Sequence, residues 1–369
     1  MKENTTVKND SKDYKYVFVC GLPRSGTSIL GRNIARMDNC TGLHDTGVWE
    51  DEGRFLQNVY PTEGDCGGPG RFGFDPRAHL TETSPLLTRE NAVKLRQSWE
   101  RYWDQSKAIR VEKTPANLLM TRFLQAAFPK TYFVVIRRHP VPVSIATHKW
   151  KVSITSLHSL FEHWLHCHEL FEKDKKYLNH VYELTYEDYI QNPDKYHQEI
   201  AAFIGTRVPE PPERERFRYV AQWRNPGGLR VPEGTMEGTT GTYNKKYFDR
   251  WCHLLTSSPF KGYYRYIARK YESRFTLYGY SLREGFGLSE NVQEKISRGS
   301  DAMGALYCTG ADVYAATWRG SIRCKRWLRL TSKAILPKFI ITAIRQARQK
   351  RISAKPVEIG RDCPELVNR

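Results

Sequence analysis

The sequence predicts an α/β fold: a P-loop-like central parallel sheet flanked by helices, with a basic helical C-terminal extension. Short apolar runs rich in Val, Ile, Tyr and Phe alternate along the chain with longer stretches of helical periodicity. That alternation implies parallel strands joined by crossover helices. The first run stops at a glycine-bearing loop that opens a helix, the arrangement of an anion-binding turn. Beyond residue 285 the composition turns basic, which separates an extension from the main domain.

Taken in order, residues 1–13 are polar and read as a flexible tail. Tyr14–Cys20 reads as a buried strand closed by Gly21, and residues 26–37 as a helix carrying Ile29, Leu30 and Ile34 on one face. A Gly- and Pro-rich loop over 61–77 is long enough to shape a cleft. Helices are expected over 86–107 and 118–128, the second stopped by Pro129. A strand follows over 131–136, a helix over 158–176, a strand over 180–185 and a helix over 196–204. These elements place one domain at 14–285 and the extension at 286–369.

The formal net charge is +18, which points to anionic partners such as nucleotides, acidic glycans or membrane surfaces. Half of that charge lies in 286–369, and residues 319–355 hold 12 basic side chains and no acidic one. From Pro337, Phe339, Ile340, Ala343, Ile344 and Ala347 fall on one helical face. Such a basic amphipathic helix either lies on an anionic membrane or packs on the main domain with a solvated face. The eight cysteines form no C-x-x-C pair, so neither a disulfide framework nor a zinc site is expected. A polar N-terminus and the lack of a long apolar run make a cytoplasmic setting, peripheral to a membrane at most, the expected one.

The strongest local signal is Gly21-Leu22-Pro23-Arg24-Ser25-Gly26-Thr27-Ser28, between strand and helix. Converging backbone N–H groups and the helix N-terminus make such a turn an anion cradle. The glycine spacing is that of a nucleotide-triphosphate loop, yet Thr27 stands where the phosphate-binding lysine belongs. ATP or GTP chemistry is therefore disfavoured, though a P-loop kinase or NTPase stays the runner-up. Arg24 supplies a guanidinium suited to a short anion.

Pro23-Arg24-Ser25-Gly26-Thr27-Ser28 after an apolar strand resembles the 5′-phosphosulfate loop of sulfotransferases that use 3′-phosphoadenosine 5′-phosphosulfate (PAPS). Within that family it resembles the branch of tyrosylprotein sulfotransferases and bacterial carbohydrate sulfotransferases. The resemblance implies that Arg24, Ser25, Gly26, Thr27 and Ser28 bind the 5′-phosphosulfate. It implies that Arg138, in Arg138-His139-Pro140 at a strand end, binds the 3′-phosphate, with His139 replacing the usual acid or amide. The family serine eight positions on is Ala146 here, so the partner hydroxyl is Ser144 or Thr147. Tyr182–Pro193, Ile200–Gly205 and Tyr278–Leu282 extend the resemblance over about 14–285. A basic loop near Gly241–Lys246 would bring Lys246 to the nucleotide.

Sulfuryl transfer needs an in-line acceptor, a cation for the bridging oxygen and a base for the acceptor proton. Glu112-Lys113-Thr114-Pro115 resembles a family segment whose lysine faces donor and acceptor. Lys113 is thus the expected cation, at a turn near the sheet edge. The base is sought among His44, Asp45, Glu50, Asp51 and Glu52, with Glu52 first, Asp45 second and His44 third. His163 and His166 share a helical face that His168 does not, so no metal site is expected. The acceptor is expected to be a saccharide hydroxyl, with no nucleic-acid partner. A non-enzymatic anion- or membrane-binding protein on the same fold is the further alternative.

Overall fold

The structure, a computed structural model, describes residues 14–150, 155–209 and 245–335. Among them, five strands form one all-parallel sheet: β1 (Lys15–Gly21), β2 (Cys40–Gly42), β3 (Ile109–Lys113), β4 (Thr131–Arg137) and β5 (Val181–Thr185). Their spatial order is β2-β3-β1-β4-β5. β1 is central, with Val17 opposite both Val111 of β3 and Tyr132 of β4. The chain leaves β1 to build one side of the sheet and then crosses to build the other. The carboxyl end of β1 is therefore a topological switch point, where open α/β sheets bind ligands.

Pleating splits β1 between two cores. Tyr16, Phe18 and Cys20 pack with Phe133, Val135, Trp99 and Phe128 on one face. Val17 and Val19 pack with Leu30, Ile34, Val134 and Ile136 on the other. That second layer is covered by α1 (Thr27–Ala35), α6 (Tyr186–Gln191) and α7 (Pro193–Ile204). The first is covered by α2 (Arg89–Glu100), α3 (Thr121–Ala127), α5 (Leu157–Lys175), α8 (Lys246–Thr256) and α9 (Lys261–Thr276), with α4 (Pro140–His148) leading into α5. All three expected strands are present.

β2 and β3 escaped the sequence reading. β2 is only three residues long, and β3 interleaves Arg110, Glu112 and Lys113 with its apolar residues, which hides the strand signature. Arg110 is buried all the same. It donates to Gln105 at 2.8 Å and pairs with Glu100, while its guanidinium lies 3.4 Å from the Tyr14 ring centre. Lys113 ends an interior strand, not an edge. The loop over 61–77 is compact, with short 3₁₀ turns at Phe72–Phe74 and Pro76–Ala78.

Two compact units divide at Ala315. In the first, packing continues past 285: Ile296 of α10 (Glu290–Ser297) is buried, and Arg269 donates to its carbonyl at 2.8 Å. The helix α11 spans Asp301–Ile335, so residues 319–335 of the basic segment are helical. The amphipathic stretch from Pro337 lies outside the described residues. No described helix is long and apolar enough to cross a membrane.

Candidate functional site

The phosphate loop follows β1 directly. Arg24 and Gly26 both take positive φ, 74° and 97°, so the chain turns sharply and α1 starts at Thr27. Gly26 is required twice over, because a Cβ there would lie 2.5 Å from the Tyr186 ring in addition to the backbone strain. The Ser25 amide donates to the Leu22 carbonyl at 3.1 Å, closing the turn. Its hydroxyl is buried with no hydrogen-bond partner among the described residues. A buried unpaired hydroxyl is costly, and an anion in the loop would satisfy it. Arg24 is exposed, with its guanidinium 5.4 Å from the Trp150 ring centre.

Arg138 reaches the same loop from the end of β4. Its Nη1 donates to the Arg24 carbonyl at 2.9 Å, and its guanidinium lies 4.1 Å from the Tyr186 ring centre. Two arginines thus flank one turn. The neighbouring His139 explains how histidine fills a position expected to be acid or amide. Nδ1 accepts from the Val141 amide at 3.2 Å and caps α4, while Nε2 donates to the Ser281 carbonyl at 3.0 Å. Burial, with Arg138 alongside, pushes the imidazole down to about 3, so it caps as the neutral form. The His139 amide donates to Glu187 at 3.1 Å, which gives the Tyr182–Pro193 segment its structural job.

Ser144 and Thr147 both lie on α4 and both line a small cavity with Leu22, Pro23, Gly70 and Trp164. Ser144 Oγ is buried and has no hydrogen-bond partner among the described residues. It is the second such hydroxyl beside the loop. Lys246 is the exposed first residue of α8, and residues 241–244 lie outside the described ones.

A chain of alternating charges meets the loop at Ser28. Lys113 Nζ donates to Glu52 Oε1 at 2.9 Å and to Glu50 Oε2 at 3.3 Å. The Glu50 carboxylate also accepts from the Ser28 hydroxyl of the loop. Glu52 Oε2 lies 2.7 Å from Arg54 Nε, an ion pair whose angle departs from hydrogen-bond alignment. Arg54 in turn pairs with Glu63. Glu52 is only 3% exposed, yet its backbone is fixed: the next residue, Gly53, donates to Glu112 at 2.9 Å and accepts from Trp99 Nε1 at 2.8 Å. Glu112 is buried and also accepts from Thr114 and Asn117. Burial raises it to about 7 against those hydrogen bonds. Glu63 is raised to about 7 by burial, opposed by Arg54.

Asp45 lies outside this network. It adopts φ 52°, its side chain is fully exposed, and its ion-pair partner is His44 at 3.6 Å. His163 and His168 are buried. His163 Nε2 accepts from the Gly73 amide at 3.1 Å, and His168 Nδ1 donates to the Trp164 carbonyl at 2.7 Å. Among the described residues no group of three metal-ligating side chains converges. Arg54, Glu63 and Glu112 were not among the site residues expected from the sequence. The position of Arg54 two residues after Glu52, and of Glu112 just before Lys113, were the available hints; Glu63 had none.

A glycine-bearing loop at the switch point of a parallel sheet, with two arginines and a carboxylate–lysine pair beside it, is an arrangement suited to group transfer on an α/β fold. A model described as the sulfotransferase family matches residues 17–210, and the chain belongs to that family. No curated protein matches. Among solved structures, the sulfotransferase domain from the curacin biosynthetic pathway is similar at 16% identity and TM-score 0.39, covering 73% of this chain and 98% of that one. A sulfotransferase from Mycobacterium tuberculosis H37Rv is similar at 14% identity and TM-score 0.36, covering 53% and 69%. One from Alicyclobacillus acidocaldarius is similar at 12% identity and TM-score 0.32, covering 65% and 91%.

Proposed function

We propose that this sulfotransferase moves a sulfuryl group from PAPS to an acceptor hydroxyl, with Glu52 as the base. The observation that carries the proposal is the pairing of Lys113 Nζ with Glu52 Oε1 across from the phosphate loop. The loop amides, Ser25, Thr27, Ser28 and Arg24 would hold the 5′-phosphosulfate, and Arg138 with Ser144 the 3′-phosphate. Ser25 and Ser144 each offer a buried unpaired hydroxyl for that purpose. Lys246 is proposed as a further nucleotide contact.

In the transfer, the acceptor oxygen bonds to sulfur as the bond from sulfur to the 5′-phosphate oxygen breaks. The acceptor proton passes to Glu52, and 3′-phosphoadenosine 5′-phosphate leaves. Lys113 and the loop dipoles offset the charge that develops on the leaving oxygen. Glu50 is the competing carboxylate, because it meets both Lys113 and Ser28 of the loop.

The acceptor is proposed to be a saccharide or glycoconjugate hydroxyl. A screen of saccharides, alcohols and phenols with sulfur-labelled PAPS tests this; label appearing only on phenols would overturn it. Residues 319–355 are proposed to touch anionic membrane. Truncation after Trp318 should abolish binding to phosphatidylserine vesicles and spare nucleotide affinity; undiminished vesicle binding would contradict it.

A further inference from the structure

We propose that Glu63 is a positioning residue that keeps Glu52 an effective proton acceptor, by sharing the charge of Arg54. The inference rests on Glu52 being the base. A carboxylate held between two cations is stabilised as the anion and is a poor proton acceptor. Glu52 touches two cations, Lys113 at 2.9 Å and Arg54 at 2.7 Å. Each cation, however, has a second carboxylate on its far side. Lys113 also meets Glu50 at 3.3 Å, and Arg54 also pairs with Glu63. The order Glu50–Lys113–Glu52–Arg54–Glu63 therefore leaves neither cation wholly to the base.

Glu63 suits the task because its one ion pair among the described residues is with Arg54. It sits at the start of the 61–77 loop, 4% exposed, and an unpaired buried carboxylate would be expensive. The groups facing it are Arg54, Glu52 beyond that arginine, and the thiols of Cys66 and Cys167. Glu52 is faced by Lys113, Arg54 and, one step further, Glu112. Arg54 is thus the shared element between the loop and the base. When Glu63 takes a proton, Arg54 is left to Glu52 alone.

Glu63→Gln tests the charge, since glutamine keeps the shape and one acceptor oxygen. Single-turnover sulfuryl transfer from PAPS would be followed from pH 5.5 to 9, to the acceptor found in the screen or to water if none is found. Above pH 8 the wild type should be about 3–10-fold faster. The two rates should converge below about pH 6, because Glu63, which titrates near 7, is then neutral in the wild type too. Affinity for 3′-phosphoadenosine 5′-phosphate should be unchanged. A ratio constant across pH, as a merely structural defect would produce, overturns the proposal, and so does a ratio of one throughout. If Glu63→Gln does not fold, the pair Arg54→Met with Glu63→Met removes both charges. Its rate should then vary less than the wild type's across pH 6–8, and an unchanged step there overturns the proposal. A wild type inert towards PAPS, or a fully active Glu52→Gln, would instead sink the functional reading itself.

Discussion

Lys113 Nζ lies 2.9 Å from Glu52 Oε1, joining the end of an interior strand to a loop more than sixty positions earlier in the chain. That contact puts a cation and a carboxylate together, and the same lysine meets Glu50, which accepts from Ser28 of the Gly21–Ser28 loop. Lys113→Met should therefore lower turnover by about 10²–10³-fold, the usual cost of removing a group that stabilises developing negative charge. Product-nucleotide affinity should fall far less. Steady-state kinetics beside a nucleotide titration would separate the two effects; an equal loss in both would make Lys113 a binding residue only.

The two arginines at the loop are expected to act on binding. Arg24→Ala and Arg138→Ala should each weaken binding of 3′-phosphoadenosine 5′-phosphate by about 10–100-fold, the loss of a charge-assisted contact of about 1.5–3 kcal/mol. Calorimetric titration of each variant checks this. Glu52→Gln, by contrast, should bind the nucleotide as the wild type does and turn over slowly.

Helix α1 packs directly on the lysine stem. A Cβ on Gly31 would come within 2.9 Å of Lys113 Cβ. Gly31→Ala should thus displace Lys113 and reduce kcat about tenfold or more without removing any reacting group, since small misplacements cost about that much or more. Gly26→Ala adds backbone strain of about 1–3 kcal/mol to a clash with Tyr186, and should lower both Tm and nucleotide affinity. Wild-type kcat in Gly31→Ala would show that the lysine does not need its present position.

Glu112 gives a pH signature in stability. Its native value of about 7 lies above the ordinary 4.5, so the folded state binds the proton more readily between those limits. Stability from this group falls as pH rises through that window. Glu112→Gln should accordingly gain Tm relative to the wild type at pH 8 compared with pH 5. His163 acts oppositely: pushed from 6.5 down to about 3 by burial, it costs stability as pH falls below 6.5. Thermal scans of both proteins at pH 5 and 8 decide; a gap that does not change with pH would contradict the buried, raised state of Glu112.

Much of this site was legible in the sequence because its signals are local. The loop from Gly21 to Ser28 announces itself through glycine spacing and the strand before it, and Lys113 and Glu52 were both named from short segments. What stayed hidden depends on tertiary packing. Glu63 meets Arg54 nine positions away across irregular chain, and no periodicity records that. β3 was missed because a buried Glu112 and a buried Arg110 imitate a solvated segment; Glu112 is satisfied by Gly53, 59 positions earlier, and by the nearby Thr114 and Asn117, while Arg110 meets Glu100 and Gln105 just before the strand. His139 showed the converse, a departure from the family pattern that the fold absorbs through an imidazole cap.

The central claim is the donor, and competitive titration tests it most directly. The purified chain would be titrated with 3′-phosphoadenosine 5′-phosphate without metal, and with ATP plus magnesium. Binding of the first should be tight, metal-independent and weakened about 10–100-fold in Arg138→Ala, and binding of the second weak. Tight magnesium-dependent ATP binding with no affinity for the 3′-phosphorylated nucleotide would contradict it.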